Sequence, residues 1–313
     1  MSVDVHPNVL TVLAGILGVL VTATLVVAVL GRIRPDKDRA EIRARIRSWW
    51  YMAGLFGLAL VVERGWSLVF FGFLSYLALK EYLSLIPTRR ADRRVLLWAY
   101  LAVPLQYLWI YMEWYGLFII FVPVYLFLAM PMRMVLIGET EGFLRAAGTI
   151  HWGAMIAVFS IGHIAYLLVL PPSVNPNGAG PALVLFLVVL TQLNDVAQFM
   201  WGKALGRAKV MPTVSPNKTW GGLIGGIATT VGLAMLMYRF LTPFQAYEAA
   251  AAGLLIGVFG FVGDVVISAL KRDLKVKDSG SLIPGHGGIL DRLDSLTYTA
   301  PLFFHFTYYL YGA

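Results

Sequence analysis

The sequence predicts an all-α, polytopic integral membrane protein with about ten transmembrane helices. Three observations carry that prediction. Of 313 residues, 59% are hydrophobic and only 13% charged, where a soluble domain carries about 25% charged residues. Many apolar runs approach or exceed the roughly 17 residues that cross a bilayer as a helix. The basic residues recur in every second connection between those runs.

The apolar runs fall at roughly 8–31, 48–62, 66–86, 95–111, 114–131, 148–170, 181–201, 220–240, 246–268 and 294–312. The first has no Lys or Arg on its N-terminal flank and no small-residue cleavage site, so an uncleaved span is expected. All of the 25 Lys and Arg except Arg64, Lys80 and Arg239 lie in five segments, at about 32–47, 89–94, 133–145, 203–218 and 271–292. The alternate turns are nearly bare, as in Met112-Glu113 and the stretch from Pro171 to Gly180. The positive-inside rule places the five basic segments in the cytoplasm and, with an even number of spans, both termini outside. Residues 1–180 read as scaffold and 181–313 as the chemical half of one continuous membrane domain. The net charge of +8, distributed in this way, fits anionic lipid rather than nucleic acid. The absence of Cys excludes disulfides and thiolate metal sites.

Three polar constellations stand out. The first is Gln192, Asn194, Asp195 and Gln198 in the seventh run. A carboxylate in lipid costs several kcal/mol and faces protein or a water-filled cavity. It reads either as a metal or nucleotide ligand or as a clamp between helices. The second runs from Gly202 to Gly226. Lys203, Arg207, Lys209 and Lys218 crowd a loop, and Ser215-Pro216-Asn217-Lys218-Thr219-Trp220 leads into a glycine-rich helix start. Helix starts attract anions, whereas Gly221, Gly222, Gly225 and Gly226 read more simply as close helix packing.

The third runs from Asp264 to Asp294. Asp264, Ser268 and Lys271 recur on a similar helical face. Arg272, Asp273, Lys275, Lys277 and Asp278 follow, then Pro284-Gly285-His286-Gly287-Gly288, then Asp291, Arg292 and Asp294. Carboxylates with waters and substrate phosphates form the usual Mg²⁺ shell, and glycine-turn N–H groups with Lys and Arg suit phosphate oxygens. His286 reads as a phosphate donor, in preference to a general base, or as a turn residue, and Asp294 as a site residue or a helix N-cap. His151, His163 and His305 read as packed. Glu63-Arg64 and Lys80-Glu81 read as local pairs or interface markers.

Ser268, Lys271, Arg272, Lys277, Asp278, the run Ile283 to Gly288, Asp291, Arg292 and Asp294 resemble the signature of the phosphatidate cytidylyltransferases, the CDP-diacylglycerol synthases. The resemblance is strong over about 190–300 and weak before that. It departs where the family usually has a second Lys (here Asn217), Glu (here Gly221), Glu (here Ile267), and a small residue with Tyr (here Gln198 and Phe199). It implies that CTP and phosphatidate, or a related phospholipid, give CDP-diacylglycerol and pyrophosphate at a bacterial cytoplasmic membrane. The residues it assigns are Asp278, Asp291, Lys271 and Arg272 to catalysis. Lys218, Ser215, Asn194, Lys277, Gly285, His286, Gly287, Gly288 and Arg292 go to substrate, and Asp264, Asp278, Asp291 and Asp195 to Mg²⁺, with a second cation as an addition. A homodimer is expected by analogy alone. A CTP-dependent lipid kinase would share the cationic site but release CDP, and an anionic-phospholipid transporter would also use intramembrane acids.

Overall fold

The computed structural model describes residues 5–33, 39–89, 92–280, 282 and 287–312. In chain order they form α1 (Pro7–Ile33), α2 (Ala40–Val61), α3 (Arg64–Leu85), α4 (Arg93–Tyr111), α5 (Tyr115–Val135) and α6 (Phe143–Val169). Then come α7 (Ala179–Leu205), strands β1 (Lys209–Met211) and β2 (Ser215–Thr219), α8 (Trp220–Leu241), α9 (Ala246–Asp273), the short α10 (Leu290–Leu293) and α11 (Leu296–Tyr311). Helices α5 and α6 each contain a π-helical stretch, Phe121–Leu126 and Met155–Phe159.

The architecture is all-α apart from the antiparallel hairpin β1–β2, which lies in the basic connection between α7 and α8. The expectation of ten spans is corrected to seven among the described residues: α1, α3, α5, α6, α7, α8 and α9 are long and apolar enough to cross a membrane. The other three expected spans are present as helices but fall short for physical reasons. Helix α2 starts at Ala40, so Arg43, Arg45 and Arg47 lie inside it rather than in the preceding connection. Helix α4 opens on Arg93 and Arg94. Helix α11 has 16 residues, about 24 Å at 1.5 Å per residue, against a hydrocarbon core of about 30 Å.

Helix α6 is the centre of the bundle: 83% of its apolar window is buried, against 6% for the peripheral α1. Aromatic rings join its neighbours around it. Phe118 of α5, His163 and Tyr166 of α6 and Phe304 of α11 form one cluster, and Tyr115 stacks on Tyr308 at 4.5 Å between ring centroids. His163 and His305 are packed against rings, and His151 against Phe127.

The hydrogen bonds sort the connections into two ends. At one end Asn8 donates to Phe240 O, Asn175 to Leu241 O and Asn177 to Thr242 O. Arg64, read as a local partner of Glu63 or an interface marker, meets Glu113 of the α4–α5 turn at 2.6 Å. At the opposite end Arg89, after α3, donates to Glu139 O between α5 and α6, and the hairpin meets the end of α9 through Arg272 and Val214 O. Four of the basic connections thus gather at one end of the bundle.

Helices α7 and α8 pack backbone against backbone. An ideal Cβ on Gly222 would lie 2.6 Å from the carbonyl oxygen of Gln198, and one on Gly226 would overlap the Gln198 side chain. The glycine run therefore serves helix packing. Gly222→Ala is expected to destabilise the protein by about 1–3 kcal/mol through overpacking, read as a lower thermal midpoint of the purified protein in detergent.

Candidate active site

The hairpin has poor strand propensity, yet it fixes two residues. Thr219 accepts the N–H of Gly222 at 3.1 Å and so caps α8, a common role for Thr. Lys218, just before it, points inward. Its Nζ lies 2.5 Å from Asp264 Oδ2 and donates to Gln198 Oε1 at 3.0 Å. Burial disfavours its charge, but Asp264 and Asp195 outweigh that and raise its pKa above the ordinary lysine value.

Around Lys218 the acids come from separate elements. Asp264, on α9, accepts from Ser268 one turn on at 3.3 Å, as the helical spacing predicted. Asp195, on α7, accepts from Ser295 Oγ at 3.1 and 3.2 Å. Asp294, between α10 and α11, accepts from the N–H of Ser295 at 2.7 Å and is repelled by both Asp264 and Asp195. So Asp294 stands in the acidic cluster. Asn194 does not join it. It is fully buried, donates to Gly257 O of α9 and accepts from Thr230 of α8. The expected substrate contact is instead a clamp among three helices.

The loop after α9 is organised by two carboxylates. Asp291 pairs with Lys271 at 2.6 Å and accepts from the N–H groups of Ser279 (2.8 Å) and Gly288 (3.0 Å). Gly287 has φ +80°, and a Cβ there would lie 2.6 Å from Asp291 Oδ2, so glycine is required. Glu81, from the C-terminal part of α3, accepts from the N–H groups of Ile289 (2.9 Å) and Leu290 (3.0 Å) and from the Ser279 hydroxyl. A Cβ on Gly288 would overlap the Glu81 carboxylate. The sequence reads Lys80-Glu81 as a local pair or an interface marker. The only sequence signal for Glu81 was an acid within an apolar run, which is by default a functional position.

Burial works against ionisation of Asp291, but Lys271 and the two backbone N–H groups prevail and hold its pKa below the ordinary carboxylate value. Its pairing therefore stabilises the loop throughout the neutral range and is lost as pH falls below about 4, through the still lower folded-state value. Hydrogen exchange at the Ser279 and Gly288 amides, referenced to the intrinsic rate at each pH, is expected to lose protection over that acid range and not between pH 6 and 8.

The remaining expected site residues line the rim. Asp278 and Lys277 are exposed on the loop, Arg272 is exposed and donates to Val214 O at 3.4 Å, and Ser215 opens β2. Gly285 and His286 lie outside the described residues. Arg292 is held at its carbonyl by Gln192 Nε2 (3.4 Å), while its Nε is buried with no hydrogen-bond partner among the described residues. The positions where the resemblance called for further acids are packed: Ile267 is fully buried in the apolar core, and a Cβ on Gly221 would lie 2.8 Å from Leu205 O. Among the described residues no three acids or histidines are arranged as a metal cage.

The profile of the cytidylyltransferase family matches residues 43–310. The chain is 46% identical over 297 residues to the Escherichia coli (strain K12) protein named "Uncharacterized protein YnbB", covering 95% of this chain and 97% of that one. It is 38% identical over 156 residues to the phosphatidate cytidylyltransferase of Brucella suis biovar 1 (strain 1330), covering 50% of this chain and 55% of that one. It is also 38% identical over 136 residues to the phosphatidate cytidylyltransferase of Haemophilus influenzae, covering 42% and 47% respectively. The chain thus spans about half the length of the phosphatidate cytidylyltransferases it matches. With its apolar helices and the family match over most of its length, this chain is an integral membrane protein that belongs to the cytidylyltransferase family.

Proposed function

We propose that the protein joins CTP to phosphatidate, or to a closely related lipid phosphomonoester, to give CDP-diacylglycerol and pyrophosphate. The observation that carries this reading is the gathering of Asp195, Asp264, Asp291 and Asp294 with Lys218 and Lys271 in one cluster, from α7, β2, α9 and the segment that includes α10. The family relationship supports it.

The chemistry asks little of a general base. A phosphomonoester with a second pKa of about 6 is largely dianionic near neutral pH. Its oxygen attacks the α-phosphorus of CTP, the bond from that phosphorus to the bridging oxygen breaks, and pyrophosphate leaves with the electron pair. Lys218, Lys271 and Arg292 counter the charge of the phosphates and align them. Glu81 and Asp291 hold the loop that carries Gly287 and Gly288 against them.

The donor set is all hard oxygen, which fits Mg²⁺. Mg²⁺ commonly takes one or two protein carboxylates and completes its shell with waters and substrate phosphates. We assign Asp264 and Asp195 to this role, with the exposed Asp278 as a further candidate. Asp291, already engaged by three donors, we assign to holding the loop. When bound, the ion would neutralise phosphate charge and steady the leaving group.

The basic end faces the cytoplasm in this reading, where nucleotide is found. Lys218, Lys271, Asp291 and Asp294 lie on the connections and helix ends there, with Asp195 and Asp264 set deeper along α7 and α9. The test is a reaction of purified full-length protein with CTP, phosphatidate and Mg²⁺. CDP-diacylglycerol and pyrophosphate are expected in equal amounts, with chelation abolishing both. CDP as the co-product would replace this reading by γ-phosphoryl transfer, and no nucleotide-dependent product would overturn it.

A further inference from the structure

We propose that Gln198 is a specificity-determining residue that donates a hydrogen bond from its Nε2 to a phosphate oxygen of a substrate. The proposal rests on the reading of this site as one for nucleotide and lipid phosphates. Gln198 projects from α7 one turn beyond Asp195 and Asn194 and is only 4% exposed. Its side chain is wedged against α8, where Gly226 leaves no room for a Cβ beside it. Its Oε1 accepts from Lys218 Nζ at 3.0 Å. An ammonium has donors only, so this contact fixes the amide: a flipped group would set two donors against each other. The Nε2 is then turned away from Lys218, and it is buried with no acceptor among the described residues.

A buried amide donor without a partner is costly and in need of an explanation. Lys218 supplies one. It already bridges Gln198 and Asp264, so the amide that carries the donor and the Lys218 charge lie together beside the acidic cluster, with the donor on the far side of the amide. Such a pair, one neutral donor and one cation, matches an oxygen of a phosphate better than it matches a metal ion or a hydroxyl donor. Arg292, whose charge acts on Asp195, has its Nε buried with no hydrogen-bond partner among the described residues and gives the cluster a second waiting donor. The anion has two sources, the triphosphate of the nucleotide or the phosphomonoester of the lipid, and both offer the same acceptor.

Two variants of the full chain separate a donor from a residue that merely holds Lys218. Gln198→Glu keeps the shape and the acceptor for Lys218 but replaces the donor by a negative oxygen. Gln198→Met keeps the bulk and loses donor and acceptor alike. Each variant is checked for a monodisperse elution and a thermal midpoint close to that of the unaltered protein. CTP binding is then measured by equilibrium dialysis without lipid, and KM for phosphatidate is measured at saturating CTP. A loss of about tenfold or more is expected in both variants, the scale of one hydrogen bond to a charged group. It falls on CTP binding if the nucleotide supplies the oxygen and on the lipid KM if the phosphomonoester does, with kcat less affected. Loss in Gln198→Met alone would show that Gln198 only holds Lys218, and loss in Gln198→Glu alone would show simple charge repulsion. Either result overturns the proposal, as does wild-type behaviour in both. Failure of the unaltered protein to bind CTP or turn over lipid would instead be a failure of the functional reading itself.

Discussion

Replacing Glu81 by Ala is expected to lower turnover by about 100-fold while leaving a folded protein in the membrane. The carboxylate takes two backbone N–H groups and one hydroxyl of a loop some 200 residues away in sequence. Each donor left unpaired costs roughly 1–3 kcal/mol, and the loop can avoid that cost only by moving. Glu81→Gln retains one accepting oxygen and should fall between the two. Gly288→Ala should resemble Glu81→Ala, because its new methyl group displaces the same carboxylate. The matching structural readout is hydrogen exchange at the Ile289 and Leu290 amides, which should lose protection in Glu81→Ala. Wild-type kcat with unchanged protection would show that the contact is incidental.

Asp264→Asn is expected to have the other large effect. Turnover should drop by about 100-fold or more, and the Mg²⁺ concentration for half-maximal activity should rise, since a carboxylate that shares the ion with the phosphates contributes several kcal/mol. Stability should fall as well, because Lys218 loses its charged partner. Breaking a fully buried pair costs about 3–5 kcal/mol. Here the side chains keep 19% and 22% of their exposure, so on the order of 2 kcal/mol is expected. A normal Mg²⁺ dependence in a well-folded Asp264→Asn protein would sink the assignment of Asp264 as a ligand.

Much of this arrangement was legible in the chain. The apolar runs located the helices, because burial and lipid exposure both demand long apolar stretches. The spacing of Asp264, Ser268 and Lys271 was legible because a helix brings every third or fourth residue to one face. The start of α2 was not, since charged residues continue a helix as readily as they end it. The β1–β2 hairpin was hidden by a sequence rich in Lys and Pro, whose pairing is set by the helices it joins. Asn194 and Asp195 are adjacent in sequence and both polar, and only the packing of α8 and α9 against one face of α7 decides that one clamps helices and the other faces the cluster. Glu81 was hidden for the opposite reason. Its partners are mostly backbone N–H groups, which every sequence has, so nothing in the loop announces the acid that will bind it.

The aromatic seam between α11 and the central helix bears on how the protein is made. Phe304 and Tyr308 fill the gap beside His163, Tyr166 and Tyr115, and α11 follows every other described helix in translation order. Until it leaves the ribosome, the most enclosed helix of the bundle has an open flank, and Ser295 is not yet in place beside Asp195. Nascent chains stalled before Leu296 should therefore linger as loosely assembled intermediates, prone to capture by membrane proteases.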